Sequence, residues 1–362
     1  MVRVGIVGCG NTIGIAKAHI NGYLKLDNVT ITALYDILPG RAEEYKKKFD
    51  LGKAKIAKTY EELLDECDAV SICTPNATHV DLTVEALKRG KHVLCEKPFA
   101  RNSEDCMEAI RYQRLTGKVC MIGLCYRGIP AFRYIKKLID DGFLGKIYFV
   151  RESQGGNRIG NPDVKCEWRM QSELSGPGSV ADFGSHMLDM TDWILRDSCG
   201  PIRSVQCMQG LFIEQRKDVF TDKIKDVDND DVSVFNAKME SGALVSFTSS
   251  RIGCDHLFEV YGSKGYLGYN GNNQFAITMQ KIGEERKVVE VPEEIYADAL
   301  ALKNTREIHY FLEVRDFVEA IEKNDSTLIT SDFDRGFYIQ KLIDDIQLSA
   351  ETGSVVDIDY DK

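Results

Sequence analysis

Three groups of residues in this 362-residue chain have the types and spacing that chemistry requires. The first is the turn GIVGCGNTIG near the amino terminus. Gly8 and Gly10 allow a tight turn and the close backbone approach that a pyrophosphate needs, with free N–H groups and a helix dipole facing the anion. Asn11, Thr12 and Ile13 continue that turn. A third glycine, three residues after the second, would fall on Ile13 but stands one place later at Gly14. Asp36 closes the next apolar run, where a carboxylate accepts hydrogen bonds from both adenosine ribose hydroxyls and repels a 2′-phosphate. That favours NAD over NADP, with Arg41 and Lys46 to Lys48 read as a solvated helix face. The plain alternative is a tight strand-to-helix turn that binds nothing.

The second group is Glu96-Lys97-Pro98, at the carboxyl end of the run HVLCEK. Ligands of doubly wound folds bind at that end of a strand. An ammonium there donates to a reacting hydroxyl and stabilises developing alkoxide charge; the competing reading is a surface lysine. The third is Asp182, His186 and Asp189, spaced i, i+4, i+7 and therefore on one helix face. A carboxylate one turn from an imidazole orients the ring and stabilises its protonated form, as a general base near neutrality requires; a solvated or capping pair is the plain alternative, and Asp189 reads as structural. The loop GGNRIGNPDVKCEWRMQSELSGPG, with Trp168 and Arg169, supplies the paired polar groups and flat apolar surface that polyol recognition needs, unless Trp168 is only a hydrophobic anchor. Tyr126 and Arg127 are further candidates for substrate contact.

The elements that must position these residues follow from periodicity. RVGIVG, VTITALYD, AVSICTP, HVLCEK and VCMIGLC are short, β-branched and almost continuously apolar, as strands covered on both faces are. Amphipathic stretches lie between them, two of which stop at Gly90 and Gly117. Strand and helix alternating in this way give an α/β fold, a doubly wound parallel sheet over residues 1–124. From residue 125 to 362 the pattern becomes α+β: helices near 130–141 and 180–196, then runs alternating with period two, such as DVSVFNAKME and ALVSFTSSRI, which predict a large, mostly antiparallel sheet. Two helices, near 305–323 and 332–350, finish the chain.

Composition sets the outer limits. Forty-three per cent of residues are apolar, enough for real cores, and 46 Lys plus Arg against 56 Asp plus Glu leave a net charge of −10. A carboxylate surplus argues against nucleic acid or an anionic membrane as partner. No run approaches the roughly 20 apolar residues of a membrane span, and no basic, apolar leader opens the sequence. The eleven cysteines are scattered without a Cys-x-x-Cys pair or a close His/Cys cluster, so no metal is expected; they read as reduced, structural thiols of a cytoplasmic protein.

Taken together, the glycine-rich turn, CTPNATH, CEKPFA and GPGSVADFGSHMLDMTDWIL resemble the glucose–fructose oxidoreductase / inositol dehydrogenase / rhizopine catabolism (Gfo/Idh/MocA) family, along nearly the whole chain. YRGIPAF, VYGSKGYL and SAETGSVVDI are similar to its phrases too. The resemblance implies a Rossmann domain followed by a domain whose open-faced sheet packs against a second subunit, hence a homodimer or homotetramer. It implies hydride transfer between NAD(P) and a secondary hydroxyl of a sugar or cyclitol. Thr74, Asn76 and His79 match the family's cofactor-lining segment, and the Lys-Pro bond is often cis, placing the lysine between nicotinamide and substrate. Lys97, Asp182 and His186 are then the expected catalytic residues, with Glu96 ranked below Lys97 beside the cofactor. Two other activities fit the same residues: glycoside cleavage or epimerisation through transient oxidation with no net NADH, and a non-catalytic NAD(H) sensor, against which the retained Lys97, Asp182 and His186 count.

Overall fold

The computed structural model describes residues 1–10, 14–303 and 307–360. They form two compact units, one of residues 1–125 with 305–340, the other of 126–304 with 341–362.

The first unit is built on a parallel sheet with strand order β3-β2-β1-β4-β5-β6. Its strands are β1 (Val2–Val7), β2 (Val29–Tyr35), β3 (Lys55–Ile56), β4 (Ala69–Ile72), β5 (His92–Glu96) and β6 (Cys120–Gly123). Between them run α1 (Ala16–Tyr23), α2 (Arg41–Lys48), α3 (Tyr60–Asp65), α4 (His79–Lys88) and α5 (Ser103–Thr116). Every residue of β4 and β6 is buried, which is why these strands are almost continuously apolar rather than alternating, with Ser71 the polar exception. The five strands expected from apolar runs are all present. The sixth, β3, is two residues long and carries no pattern of its own. Helix ends follow local chemistry: the Asn102 side chain caps α5 by accepting the Asp105 N–H at 2.9 Å, and Gly117, at φ +62°, stops it. Strand order reverses between β1 and β4, so the turn after β1 sits at the switch point where such sheets bind ligands.

The second unit opens with α6 (Pro130–Asp140) and β7 (Ile147–Gly155), then a short α7 (Ser172–Ser175). A π-helical turn, Val180–Gly184, runs directly into α8 (Ser185–Cys199). The strands that follow are β8 (Ile202–Gly210), β9 (Gln215–Lys217), β10 (Ile224–Asp226), β11 (Val232–Met239), β12 (Leu244–Ser250), β13 (Leu257–Gly262), β14 (Gly265–Tyr269), β15 (Ala276–Lys281) and β16 (Lys287–Glu290). With β7 and a terminal strand β17 (Val356–Asp357) they form a nine-stranded sheet, from which the hairpin β9–β10 stands apart. All pairings in the large sheet are antiparallel except β7 with β12. Period two is visible in the packing: buried Phe235 and Phe247 face each other in register with rings 4.6 Å apart, while Val234, Asn236 and Lys238 point to the opposite face. That outer face leaves Met208, Val234 and Leu244 exposed.

Helix α9 (Ile308–Lys323) belongs to the first unit, although the chain reaches it after the whole second sheet. Val314, Phe317 and Val318 join the core formed by Ile20, Tyr23 and β1. The approach to α1 is close, since a Cβ on Gly22 would lie 2.6 Å from Val314 Cγ2. A division at residue 124 places 305–340 with the second domain; in the structure the apolar face of α9 is buried beside α1 instead. Helix α10 (Phe333–Thr352) follows.

His92, at the start of β5, links this packing to pH. Its Nδ1 accepts the Val119 N–H at 3.1 Å, and burial, aided by Lys118, lowers its pKa to about 4. Unfolded chains take up the imidazole proton below about pH 6.5, whereas the folded chain does so only near 4, so stability falls as pH drops through that window. Replacing His92 with Asn, whose Oδ1 still accepts from Val119, should flatten the decline in urea midpoint between pH 6.5 and 4.5. An unchanged slope would assign the pH dependence to other groups.

Candidate active site

In the first unit the glycine-rich turn has the expected build. Gly8 sits at φ +86°, and a Cβ there would lie 2.7 Å from the Cys73 carbonyl oxygen; Gly10 sits at φ +75°. Asn11, Thr12 and Ile13 lie outside the described residues. Asp36, just past β2, accepts the Cys9 N–H on Oδ2 at 2.7 Å and the Leu38 N–H on Oδ1 at 2.8 Å. Each oxygen keeps a further lone pair for a hydroxyl donor. Two glycines with positive φ, edged by a fixed carboxylate, fit a dinucleotide.

Beyond β4, Thr74 Oγ1 accepts from Thr78 Oγ1 at 2.8 Å, and Asn76 is buried. The His79 ring is buried as well, with Nδ1 2.9 Å from the Pro98 carbonyl and Nε2 2.9 Å from the Thr74 carbonyl. Burial holds this imidazole below its ordinary pKa, opposed by those two carbonyls. A neutral ring donates to one of them. His79 therefore ties the segment after β4 to the segment after β5 with its side chain turned inward. The Lys97–Pro98 bond is cis, and Lys97 is partly exposed. Glu96 faces the interior: Oε1 lies 2.8 Å from His19 Nε2 on α1, and Oε2 accepts the Lys97 N–H at 3.2 Å. Glu313 on α9 completes the cluster, with Oε2 3.7 Å from the same nitrogen. Burial, and after it the Glu96 charge, push the Glu313 carboxyl well above the usual range.

In the second unit, Asp182 lies within the π-helical turn and His186 in the first turn of α8, so the two occupy consecutive turns of one helical segment. Turns closed by i→i+5 bonds are rare and concentrate at functional sites. The buried His186 ring stacks on Tyr126, centroids 4.0 Å apart and planes 6° from parallel. Gln154 on β7 donates to Tyr126 Oη at 2.6 Å, which fixes the tyrosine in turn. Arg127 gives its guanidinium to Asp189, at 2.9 and 2.6 Å, with the two side chains 12 % and 1 % exposed. Asp189 is thus a structural anchor, and Arg127, expected at the substrate, is held by it. Arg169 lies 4.3 Å over the Trp168 ring and covers one face of the surface expected to meet a polyol. Burial lowers the Arg169 pKa, opposed first by Asp182 and then by Glu167. Glu167 also pairs with Arg158, and Lys165 with Asp222, so much of that loop's polar content maintains the loop itself.

Several residues that shape the site gave no motif. Asp230 accepts from the Gly178 and Ser179 N–H groups at 2.7 and 2.8 Å and from the Ser179 and Ser233 hydroxyls, and this fixes the entry to the π-helical turn. Buried Arg251 donates to Asn229 Oδ1 at 3.0 Å and to the Arg169 carbonyl at 2.6 Å. His19 and Glu313 left one trace: each is a titratable residue on the apolar face of an amphipathic helix.

Two family models match the chain, one described as an oxidoreductase family with an NAD-binding Rossmann fold over residues 2–124, the other as the GFO/IDH/MocA C-terminal domain over 132–268. Levoglucosan dehydrogenase of Pseudarthrobacter phenanthrenivorans is 24 % identical over 99 % of this chain and 98 % of its own. Inositol 2-dehydrogenase/D-chiro-inositol 3-dehydrogenase of Lactiplantibacillus plantarum is 27 % identical over 99 % of this chain and 94 % of its own. A solved levoglucosan dehydrogenase in complex with NADH and L-sorbose superimposes with a TM-score of 0.89 at 24 % identity, covering 99 % of each chain. No described helix is long and apolar enough to cross a membrane.

The Arg127–Asp189 pair generates a stability prediction. Removing one partner of a buried ion pair leaves the other uncompensated, at a cost of about 3–5 kcal/mol. Asp189→Asn should lower the urea unfolding free energy by that order. A loss under about 1 kcal/mol, typical of an exposed pair, would show that water reaches the guanidinium.

Proposed function

The chain belongs to the GFO/IDH/MocA family of NAD-binding oxidoreductases, and we propose that it moves hydride between nicotinamide and a secondary hydroxyl of a sugar or cyclitol. The observation that carries this reading is the match, along nearly the full chain, to relatives named as dehydrogenases of levoglucosan and inositol. Bound NAD supplies the hydride acceptor, or in reduced form the donor. Gly8 and Gly10 admit its pyrophosphate, Asp36 takes the ribose hydroxyls, and the segments carrying Thr74, Asn76 and Glu96 flank it. In the first unit, Lys97 places a cation that lowers the cost of alkoxide charge on the substrate oxygen. In the second, His186 accepts the hydroxyl proton at Nε2, since Nδ1 is fully buried. Its stack on Tyr126 fixes the plane of the ring, and Asp182 stabilises the imidazolium. Tyr126 and Arg169 meet the substrate, with Trp168 and Arg127 behind them.

The outer sheet face supports a homo-oligomer. Met208 pairs in register with Val234, and Leu244 with Phe149, all of them exposed, so two copies associate through this face. Eleven free thiols, ten of them buried, suit a reducing compartment such as the cytoplasm.

A panel of sugars, anhydrosugars, cyclitols and aryl glycosides, followed at the NADH absorbance, tests the activity. NADH should accumulate with at least one polyol. Glycoside cleavage or epimerisation without net NADH would replace the proposal with transient oxidation. NAD should bind more tightly than NADP, and Asp36→Ala should narrow the difference; NADP binding as tight as NAD to the unaltered protein would refute the role given to Asp36. His186→Ala should cut turnover by roughly 10²–10⁴-fold, the usual contribution of a general base, and Lys97→Ala at least as far. NAD affinity should change little for the first and moderately for the second. The oxidative rate should rise with pH through an apparent pKa that His186→Ala abolishes. If that variant keeps its pH profile, the proton goes elsewhere.

A further inference from the structure

The interior of the first unit holds three groups whose charges are not balanced by their neighbours. His19 on α1, Glu96 at the end of β5 and Glu313 on α9 bring one ligand atom each within 4.8 Å of one another. Their side chains are 0 %, 8 % and 1 % exposed. His19 Nε2 is 2.8 Å from Glu96 Oε1 and 3.7 Å from Glu313 Oε2. Neither oxygen of Glu313 has a hydrogen-bond partner among the described residues. The neighbouring hydroxyl of Tyr23 is engaged by Ser71 Oγ at 2.8 Å. An ionised carboxylate in such a place is costly, and orphaned buried acceptors are rare in native proteins.

Three occupants would relieve this. A proton on Glu313 cancels its charge, but His19 Nε2, at 3.7 Å, is beyond hydrogen-bond distance and lies closer to Glu96. A proton on His19 leaves a net charge of −1 among the three. A divalent cation brings the sum to zero and gives the orphaned oxygen a ligand. The spacing suits it: donors about 2.1 Å from a common tetrahedral centre lie about 3.4 Å apart, between the two separations seen. The other ring nitrogen also fits, because Nδ1 is 3.7 Å from Cys73 Sγ. With Nδ1–H directed at that sulfur, Nε2 carries the lone pair that a metal needs.

We infer that His19, Glu96 and Glu313 form a binding site for a first-row divalent cation, with Zn²⁺ the best match to one imidazole and two carboxylates. A set with only one nitrogen and no thiolate is less suited to copper or iron–sulfur chemistry, and the imidazole disfavours Mg²⁺ and Ca²⁺. The cation is structural. It joins α1, β5 and α9, so the late-arriving helix is tied to the sheet by coordination as well as by apolar contact.

The test uses the full-length protein, freed of any histidine tag and purified without chelator. Elemental analysis should find about one equivalent of zinc per chain, retained or restored after incubation with ZnCl₂ and desalting. Extended exposure to 1,10-phenanthroline should lower the thermal midpoint by about 5 °C or more, and ZnCl₂ should restore it. Glu313→Gln should hold less than about a tenth of an equivalent and lose the response to both reagents. Less than about a tenth of an equivalent in zinc-treated wild type, a midpoint indifferent to chelator and metal, or full metal retention in Glu313→Gln each overturns the proposal. A metal-free wild type would mean that the trio shares protons or a buried water. Should Glu313→Gln not fold, the wild-type metal content and the zinc-dependent midpoint still decide the matter.

Discussion

A parallel sheet must be covered on both faces, and the first unit depends on that constraint. Parallel strands need long crossovers, and the crossovers supply helices. With α1 only eight residues long, the helix layer over β1 is incomplete without Val314, Phe317 and Val318 from α9. Burial on both faces also explains why polar chemistry is confined to the strand ends: Gly8 follows β1, Asp36 follows β2, Thr74 follows β4 and Lys97 follows β5. Three interior polar residues, His19, Glu96 and Glu313, lie where α1, β5 and α9 converge.

The second unit solves a different problem. Its large sheet has one covered face and one open face, and its irregular segments are held by polar networks as well as by a small apolar cluster of Ile159, Cys166, Met170 and Val227. Asp230 gathers two backbone N–H groups and two hydroxyls, and Arg251 spans Asn229 and the Arg169 carbonyl. Such buried networks specify one geometry, and here the geometry specified is the entry to the π-helical turn that carries Asp182. Stacking of His186 on Tyr126 and the bidentate Arg127–Asp189 pair then hold α8 from the side.

Much of this was legible in the residues because the governing interactions are local. Apolar runs flanked by turn glycines marked five strands of the first sheet, and alternation marked the second sheet. What stayed hidden depends on partners distant in sequence. Lys55–Ile56 is too short to have a period, so β3 emerges only from its pairing with β2. The apolar face of α9 says that the helix is buried but not against which core. Helical spacing placed Asp182 and His186 correctly in one continuous segment, yet a π-helical turn looks like an α-helical one in sequence. Spacing does not reveal that Asp189 engages Arg127 or that Arg169 lies over Trp168. Glu96 was legible as a motif residue, while its contacts with His19 and Glu313 span 77 and 217 positions of chain.

The return of α9 to the first unit also bears on how the protein is made. A ribosome releases the six strands of the parallel sheet long before it reaches Ile308, and the entire second sheet is synthesised in between. Throughout that interval Ile20 and Tyr23 lack the helix that buries them, and Gly22 offers an open groove. The nascent amino-terminal segment is therefore sticky for more than half of translation, a natural client for chaperones that shield apolar surface on emerging chains. Folding of this unit is completed near the end of synthesis.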